Sequence, residues 1–186
     1  MAQLESGWVS GARRCPSPNC NERPAGEQVS LLVIHNISLP PGRFGGHWID
    51  DLFCNRLDCS AHPWFGQLRG LEVSAHFLIR RDGTLVQYVP VDARAWHAGK
   101  STFAGRDNCN DYSIGIELEG TDERPYTRKQ YRRLVALSVL LLRACPAITP
   151  ERIVGHSDIA PGRKTDPGPS FDWAGYRRQL AEALAR

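Results

Sequence analysis

The chain has 186 residues, of which 41% are hydrophobic and 23% are charged, and its formal net charge is +3. These values are typical of one ordinary globular domain that can bury a substantial core. The modest net charge and the scattered arginines argue against nucleic acid as a partner and favour an acidic small ligand.

Location and assembly are predicted from the N-terminus, the apolar runs and the cysteines. The N-terminus lacks a basic start followed by an apolar stretch, so we expect no secretory signal and a cytoplasmic location. The longest apolar run, 134–142, is far shorter than the roughly 20 residues of a membrane-spanning helix, so we expect no membrane partner. The six cysteines are expected to be free thiols, and the protein to be a monomer.

The first part of the chain predicts an arm, a strand and a long connection. Residues 1–29 are rich in Pro, Gly, Ser and Arg and predict an irregular N-terminal arm laid over the body. Residues 31–38, LLVIHNIS, predict a strand buried on both faces, with His35 and Asn36 at its end. The connection 39–72 has a length that is usually functional in a compact domain.

Two further strand regions follow. In residues 73–90, two apolar runs flank Asp82-Gly83, which predicts a β-hairpin. Residues 110–120 alternate, with apolar side chains on one face and Glu117 and Glu119 on the other.

Helices are predicted in three places. A short helix is expected within 42–59, and a long one at 127–144, where Thr127 and Gln130 form a capping box. A final helix follows Asp172 as its N-cap. These elements predict an α/β fold in which helices pack on a central mixed, mostly antiparallel sheet.

Two histidines lie at predicted strand ends, and a polar stretch follows the second. His35 ends the strand at 31–38, His156 ends the segment 148–156, and GRKTDPGP occupies 162–169. Two neutral imidazoles and one carboxylate, with a fourth position left to water, are the ligands of a catalytic zinc site. No HExxH helix is present, so the pattern is not that of the zinc proteases with that motif.

Five blocks of the sequence together resemble the zinc-dependent N-acetylmuramoyl-L-alanine amidases, a superfamily that includes the peptidoglycan recognition proteins. Within it the chain is most similar to the cytoplasmic AmpD-type branch, which recycles 1,6-anhydromuramyl peptides. The resemblance implies a single zinc amidase domain over 1–186. The blocks are LLVIHNIS, VSAHFLIRRDGTLVQYVP, AWHAGKS, NDYSIGIELEG and VGHSDIAPGRKTDPGPSFDW.

The resemblance implies that His35, His156 and Asp166 bind zinc and that Glu117 and Lys164 are the catalytic side chains. Amide hydrolysis needs a polarised carbonyl, a deprotonated water and positive charge near the oxyanion. Zinc held by two neutral histidines and one aspartate keeps about one net positive charge. Glu117 would take the proton of the water and pass a proton to the departing amine, and Lys164 would stabilise the oxyanion.

Each of these residues also has a simpler interpretation. Asp166 precedes a proline and can initiate a turn, and Lys164 can be a solvated surface lysine. Alternation alone does not distinguish Glu117 from Glu119, and only the resemblance selects Glu117.

The other four histidines are weaker candidates. His47 and His62 are expected in exposed loops. His76 is expected to be a hydrogen-bonded core histidine, whereas His97 is equally compatible with the core and with the lining of a groove.

Three residues are predicted to bind substrate. Trp96 would stack on a sugar ring, although plain core packing explains it nearly as well. Asn36 would hydrogen-bond the peptide or the scissile carbonyl, and Arg106 would meet a carboxylate of an acidic peptide stem.

The resemblance implies hydrolysis of the amide between the lactyl group of 1,6-anhydro-N-acetylmuramic acid and L-alanine, with an anhydromuramyl peptide as substrate. Three alternatives stay open: the same reaction on intact peptidoglycan, a non-catalytic muropeptide-binding module, and a purely structural zinc site. The lack of a recognisable signal argues against the first, and the complete set of ligands and catalytic candidates against the second. A structural site would want a fourth protein ligand, ideally cysteine, and none adjoins these residues.

Overall fold

The computed structural model describes residues 3–186 of the protein. Twelve strands are found within these residues: β1 (Leu4–Glu5), β2 (Trp8–Val9), β3 (Arg13–Arg14), β4 (Cys20–Asn21), β5 (Leu31–Ile37), β6 (Phe77–Ile79), β7 (Leu85–Gln87), β8 (Arg94–Ala95), β9 (Thr102–Phe103), β10 (Arg106–Asp107), β11 (Ser113–Glu119) and β12 (Ile153–Gly155). The α-helices of this part are α1 (Trp48–Phe53), α2 (Arg128–Ala144), α3 (His156–Ile159) and α4 (Trp173–Leu184). Short 3-10 helices lie at Pro63–Leu68, Cys109–Asp111 and Pro150–Arg152.

Six of the strands form a central sheet in the order β12-β5-β11-β6-β7-β3. The prediction of an α/β domain with helices on a mixed sheet is confirmed, but the prediction that the sheet is mostly antiparallel is wrong. Four of its five pairings are parallel, and only β6 with β7 is antiparallel. A tight turn joins β6 to β7, whereas the other neighbours are joined by long connections that return the chain to the same end of the sheet.

The turn between β6 and β7 lies at the predicted Asp82-Gly83 pair. Asp82 Oδ1 accepts a hydrogen bond from the Thr84 N–H at 2.8 Å. Gly83 has a φ of +87°, in the left-handed region that glycine adopts without steric cost. Local chemistry therefore specifies this hairpin.

The three predicted helices are present. α2 begins with the capping box of Thr127 and Gln130, and α4 begins at Asp172, whose Oδ1 accepts the Gly175 N–H at 2.8 Å. The short helix expected within 42–59 is α1. The connection continues into the 3-10 helix at Pro63–Leu68.

The two faces of the sheet are covered differently. Side chains from α2 and α4 pack with Leu32, Ile34 and Ile116 in the core on one face. Because side chains alternate along a strand, His35 and Glu117 lie on the opposite face. That face is covered by α1 and the connection around it.

The N-terminal segment contributes directly to the sheet. Residues 3–29 contain β1 to β4, and β3 is an edge strand paired with β7. Residues 1 and 2 of the predicted arm lie outside the described residues, and the arm as a unit stays a prediction. Within 3–186, none of the helices is both long and apolar enough to cross a membrane.

Candidate functional site

Three neighbouring parallel strands bring polar side chains to one end of the sheet. Glu117 of β11 pairs in register with His35 of β5. On the other side of β5, Gly155 pairs with Ile34, so His156, the next residue, lies at the level of His35. Residues 121 positions apart in the sequence are thereby adjacent in space.

The side chains of His35, His156 and Asp166 converge on one point. The two Nδ1 atoms are 3.0 Å apart, and they lie 3.2 Å and 3.1 Å from Asp166 Oδ2. Tetrahedral zinc with ligands at about 2.0–2.1 Å needs ligand atoms about 3.3 Å apart. The spacing therefore fits a zinc-sized cation, and the structure brings together the three residues that the sequence predicts as ligands.

Asp166 reaches this point from the loop that follows α3. Its backbone carbonyl oxygen accepts the Ser157 N–H at 3.0 Å, which attaches the loop to the start of α3. His156 Nε2 lies 3.2 Å from the Ala98 carbonyl oxygen. Since a carbonyl only accepts, the proton of His156 is on Nε2, and its Nδ1 lone pair faces Asp166.

The protonation states suit metal binding. Burial lowers the pKa of His35 to about 4, so the imidazole is neutral at pH 7. Burial alone would raise the pKa of Asp166, but its close contacts with His156 and His35 hold that pKa well below its usual range. Neutral imidazoles and an ionised carboxylate are the forms that coordinate a cation.

Glu117 and Glu119 have different surroundings although they share a face of β11. Both carboxylate oxygens of Glu119 accept hydrogen bonds from the backbone, one from the Gly45 N–H at 2.6 Å and one from the Arg81 N–H at 3.1 Å. Glu117 Oε2 is buried and has no hydrogen-bond partner among residues 3–186. Burial, helped by the charge of Asp166, raises the pKa of Glu117 well above its usual value.

A cleft of about 450 Å³ opens above these residues. Lys164 is exposed at its edge, on the same loop as Asp166, and its positive charge lowers the pKa of Glu117, opposing the effect of burial. The cleft is therefore lined by all five residues of the predicted metal and catalytic set: His35, Glu117, His156, Lys164 and Asp166.

The three predicted substrate-binding residues differ in position. Trp96 and Asn36 line the cleft, and the Asn36 side-chain amide donates to Asp122 Oδ1 at 2.8 Å, which leaves its carbonyl oxygen for a ligand. Arg106 is not among the lining residues. It pairs with Glu27 at 2.8 Å, so the structure gives no support to its predicted contact with a peptide stem.

The remaining histidines lie close to their expected environments. His47 is exposed, and His62 accepts the Trp64 N–H at the start of a 3-10 helix. His76 is buried and lies 3.0 Å from the Ala93 carbonyl oxygen. His97, whose environment the sequence leaves open, lines the cleft and contacts His35.

Two large, exposed apolar side chains of the cleft are not among the predicted site residues. Trp64 and Leu71, on the connection 39–72, are 36% and 45% exposed. The local signal is a tryptophan directly after Pro63, in a segment that also carries Gly66 and Gly70. Such side chains lower the polarity of one wall and suit the apolar face of a ligand.

Residues 25–169 match the family model described as N-acetylmuramoyl-L-alanine amidase. The chain belongs to this family. Among curated amidases, the 1,6-anhydro-N-acetylmuramyl-L-alanine amidase AmpD of Escherichia coli strain K12 is 60% identical over 174 residues, which cover 94% of each chain.

Solved amidase structures agree with the observed fold. A crystal structure of a selenomethionine derivative of AmpD matches with a TM-score of 0.93 and 59% identity, covering 95% of this chain and 98% of that one. AmpDh3 from Pseudomonas aeruginosa, in complex with an anhydromuramic pentapeptide, matches with a TM-score of 0.62 and 34% identity. That match covers 84% of this amidase and 61% of the other chain.

Proposed function

We propose that this amidase is zinc-dependent and hydrolyses the amide between the lactyl group of 1,6-anhydro-N-acetylmuramic acid and L-alanine, as a step in peptidoglycan recycling. The observation that carries the proposal is the cluster of two imidazole nitrogens and one carboxylate oxygen within 3.2 Å of one another. The buried, unpartnered Glu117 carboxyl in the same cleft supports it. The substrate is supported by the name of the AmpD relative at 60% identity.

His35, His156 and Asp166 would hold the metal. Two imidazoles and one carboxylate leave a coordination position open, as catalytic zinc sites require and structural sites do not. When bound, zinc supplies a Lewis acid for the scissile carbonyl and lowers the pKa of a water molecule.

Glu117 would move the proton. Its unpartnered Oε2 is free to accept a proton from the attacking water and then to pass it to the nitrogen of the departing L-alanine. The raised pKa helps the second transfer, because a carboxyl with an ordinary pKa is a poor donor at neutral pH.

Lys164 would stabilise the developing negative charge. Its ammonium group can donate a hydrogen bond to the carbonyl oxygen of the scissile amide as that oxygen gains charge. Trp96 and the carbonyl oxygen of Asn36 would contact the sugar and the peptide, respectively, in the cleft.

We further propose a cytoplasmic location and a monomeric state. The location is supported by the resemblance of the sequence blocks to the cytoplasmic branch of the family. Cell fractionation and light scattering of the purified protein test these two points.

The central experiment compares two substrates. The purified protein is incubated with an anhydromuramyl tripeptide and with its reduced, non-anhydro counterpart, each with and without a chelator. We expect peptide release from the anhydro compound alone, its loss with chelator and its return on addition of zinc. Equal release of peptide from both substrates would contradict the recycling role but would be consistent with amidase activity. No release from either, with zinc demonstrably bound, would favour the binding-module alternative.

A further inference from the structure

One dipeptide, His97-Ala98, contacts both histidines of the candidate metal centre. His97 Nδ1 lies 2.9 Å from His35 Nε2, and the Ala98 carbonyl oxygen lies 3.2 Å from His156 Nε2. Both contacts are made to the ring nitrogen that faces away from Asp166. The dipeptide comes from the connection between β8 and β9, which supplies no candidate ligand.

The hydrogen bonds behind His97 have a defined direction. The Ser113 hydroxyl has one proton, and its Oγ lies 2.5 Å from the Cys109 carbonyl oxygen, which only accepts. Ser113 Oγ must therefore accept from His97 Nε2, which lies 3.1 Å away. With its proton on Nε2, a neutral His97 has a lone pair on Nδ1 and accepts from His35 Nε2.

The same chain fixes the orientation of the His35 lone pair. Because His35 Nε2 carries the proton, the lone pair of this neutral ring is on Nδ1, the atom 3.2 Å from Asp166 Oδ2. His156 also has its lone pair on Nδ1, because its Nε2 carries the proton that is donated to the Ala98 carbonyl oxygen. Two lone pairs and one carboxylate then point at one another, an arrangement that a cation stabilises and that is repulsive without one.

The dipeptide itself is held in place by side chains. Asn110 Oδ1 accepts both of its backbone N–H groups, at 3.1 Å from His97 and 2.8 Å from Ala98. Arg163 donates to the Ala98 carbonyl oxygen at 2.6 Å. At Gly115, an added Cβ would lie 2.5 Å from His97 Cγ, so the imidazole occupies space that only glycine leaves.

We propose that His97 is a positioning residue for the metal centre, and that Asn110 positions the dipeptide which fixes the tautomers of both metal-binding histidines. This inference rests on the proposed metal site. His97 touches neither the scissile amide nor the cation in this assignment. Its effect is to orient the ring of His35 before the cation arrives.

Zinc affinity of paired variants tests the proposal. His97→Leu removes the acceptor, whereas His97→Asn keeps an amide oxygen close to the former Nδ1 position. Competition with a chromophoric chelator should show zinc bound about 10- to 100-fold more weakly by His97→Leu, as for other hydrogen-bond partners of metal-binding histidines. His97→Asn should recover part of that loss. Unchanged affinity in His97→Leu would overturn the proposal.

A measurement on the metal-free wild-type protein is independent of how the variants fold. Long-range proton–nitrogen NMR correlations assign the protonated ring nitrogen of each histidine. We expect His35, His97 and His156 all to carry the proton on Nε2, and a proton on Nδ1 of His35 or His97 would refute the proposed chain. Failure of wild-type protein to bind zinc would instead contradict the proposed function, because the tautomers are read without metal.

Discussion

At the scale of single residues, two glutamates of one strand show how surroundings decide a role. Glu117 and Glu119 are two positions apart and point to the same side of β11. Glu119 is 1% exposed and fully engaged by Arg80 and two backbone N–H groups. Glu117 is buried without a partner beside the candidate ligands. The structure thus separates a loop-fixing carboxylate from one that is available for chemistry.

Glutamine variants of these two residues form a matched pair. Glu117→Gln should lower kcat about 10²- to 10⁴-fold, because the amide does not accept and return a proton. Glu119→Gln should leave kcat within a few-fold and lower the unfolding free energy instead, since it weakens the contacts to Gly45 and Arg81. Steady-state kinetics and urea unfolding of both variants check this, and a larger loss of kcat in Glu119→Gln would contradict the assignment.

Lys164 provides a second test at this scale. Lys164→Ala should lower kcat about 10²- to 10³-fold, the usual effect of losing one oxyanion donor, and should still bind zinc. Lys100→Ala removes an exposed lysine outside the cleft lining and serves as the control. If Lys164→Ala keeps normal activity, or loses zinc together with activity, the oxyanion role is excluded.

At the scale of elements, α1 is attached to the sheet by one buried carboxylate. Asp50 accepts hydrogen bonds from the Tyr88 hydroxyl at 2.5 Å, from Arg13 at 2.6 Å and from Arg80 at 3.3 Å. Leu52 of the same helix lines the cleft. The position of this cleft wall therefore depends on Asp50.

Substitution of adjacent aspartates tests this attachment. Asp50→Ala should cost about 3–5 kcal/mol of unfolding free energy, because it leaves buried donors unpaired. Asp51→Ala breaks only the exposed contacts to His47 and Arg56 and should cost less than about 1 kcal/mol. Urea unfolding of the two variants provides the comparison, and equal costs would show that the buried network is not what holds α1.

The elements that were predicted correctly are those specified by nearby residues. The hairpin at Asp82-Gly83 and the capping box of α2 depend on contacts within four positions. Parallel pairing depends on where long connections return, which local patterns do not reveal, although the unbroken apolar run of β5 is typical of parallel strands. The ion pair of Arg106 is hidden from local patterns for a similar reason, because its partner Glu27 belongs to the N-terminal segment.

At the scale of the whole molecule, buried histidines make stability depend on pH. Burial lowers the pKa of His35 to about 4 and of His76 to about 3, and it holds that of His97 well below its usual value. Since the unfolded chain binds these protons near pH 6.5, it is favoured as the pH falls from 6.5 towards 3. Between its pKa in the folded protein and about 6.5, each histidine lowers the unfolding free energy by about 1.4 kcal/mol for every pH unit of acidification.

Glu117 has the opposite effect on the pH dependence of stability. Because its pKa is raised in the folded protein, it stabilises the folded state most at low pH, and this stabilisation is lost as the pH rises. In metal-free Glu117→Gln protein, we therefore expect the unfolding free energy to fall clearly between pH 7 and pH 5. When the same protein also carries His76→Gln, its unfolding free energy should fall by less between pH 7 and pH 5. Urea unfolding at both pH values is the measurement, and equal pH dependence in the two proteins would rule out His76 as a source.

The register of β5 with β11 has a consequence for how the family can diversify. Glu117 and His35 are paired directly opposite each other on neighbouring strands, so backbone pairing sets the separation of their Cα atoms at about 4.8 Å. The walls of the cleft come from α1 and from separate connecting segments. Loop exchange between homologues can therefore redirect such an amidase to another cell-wall fragment while the reacting groups keep their spacing.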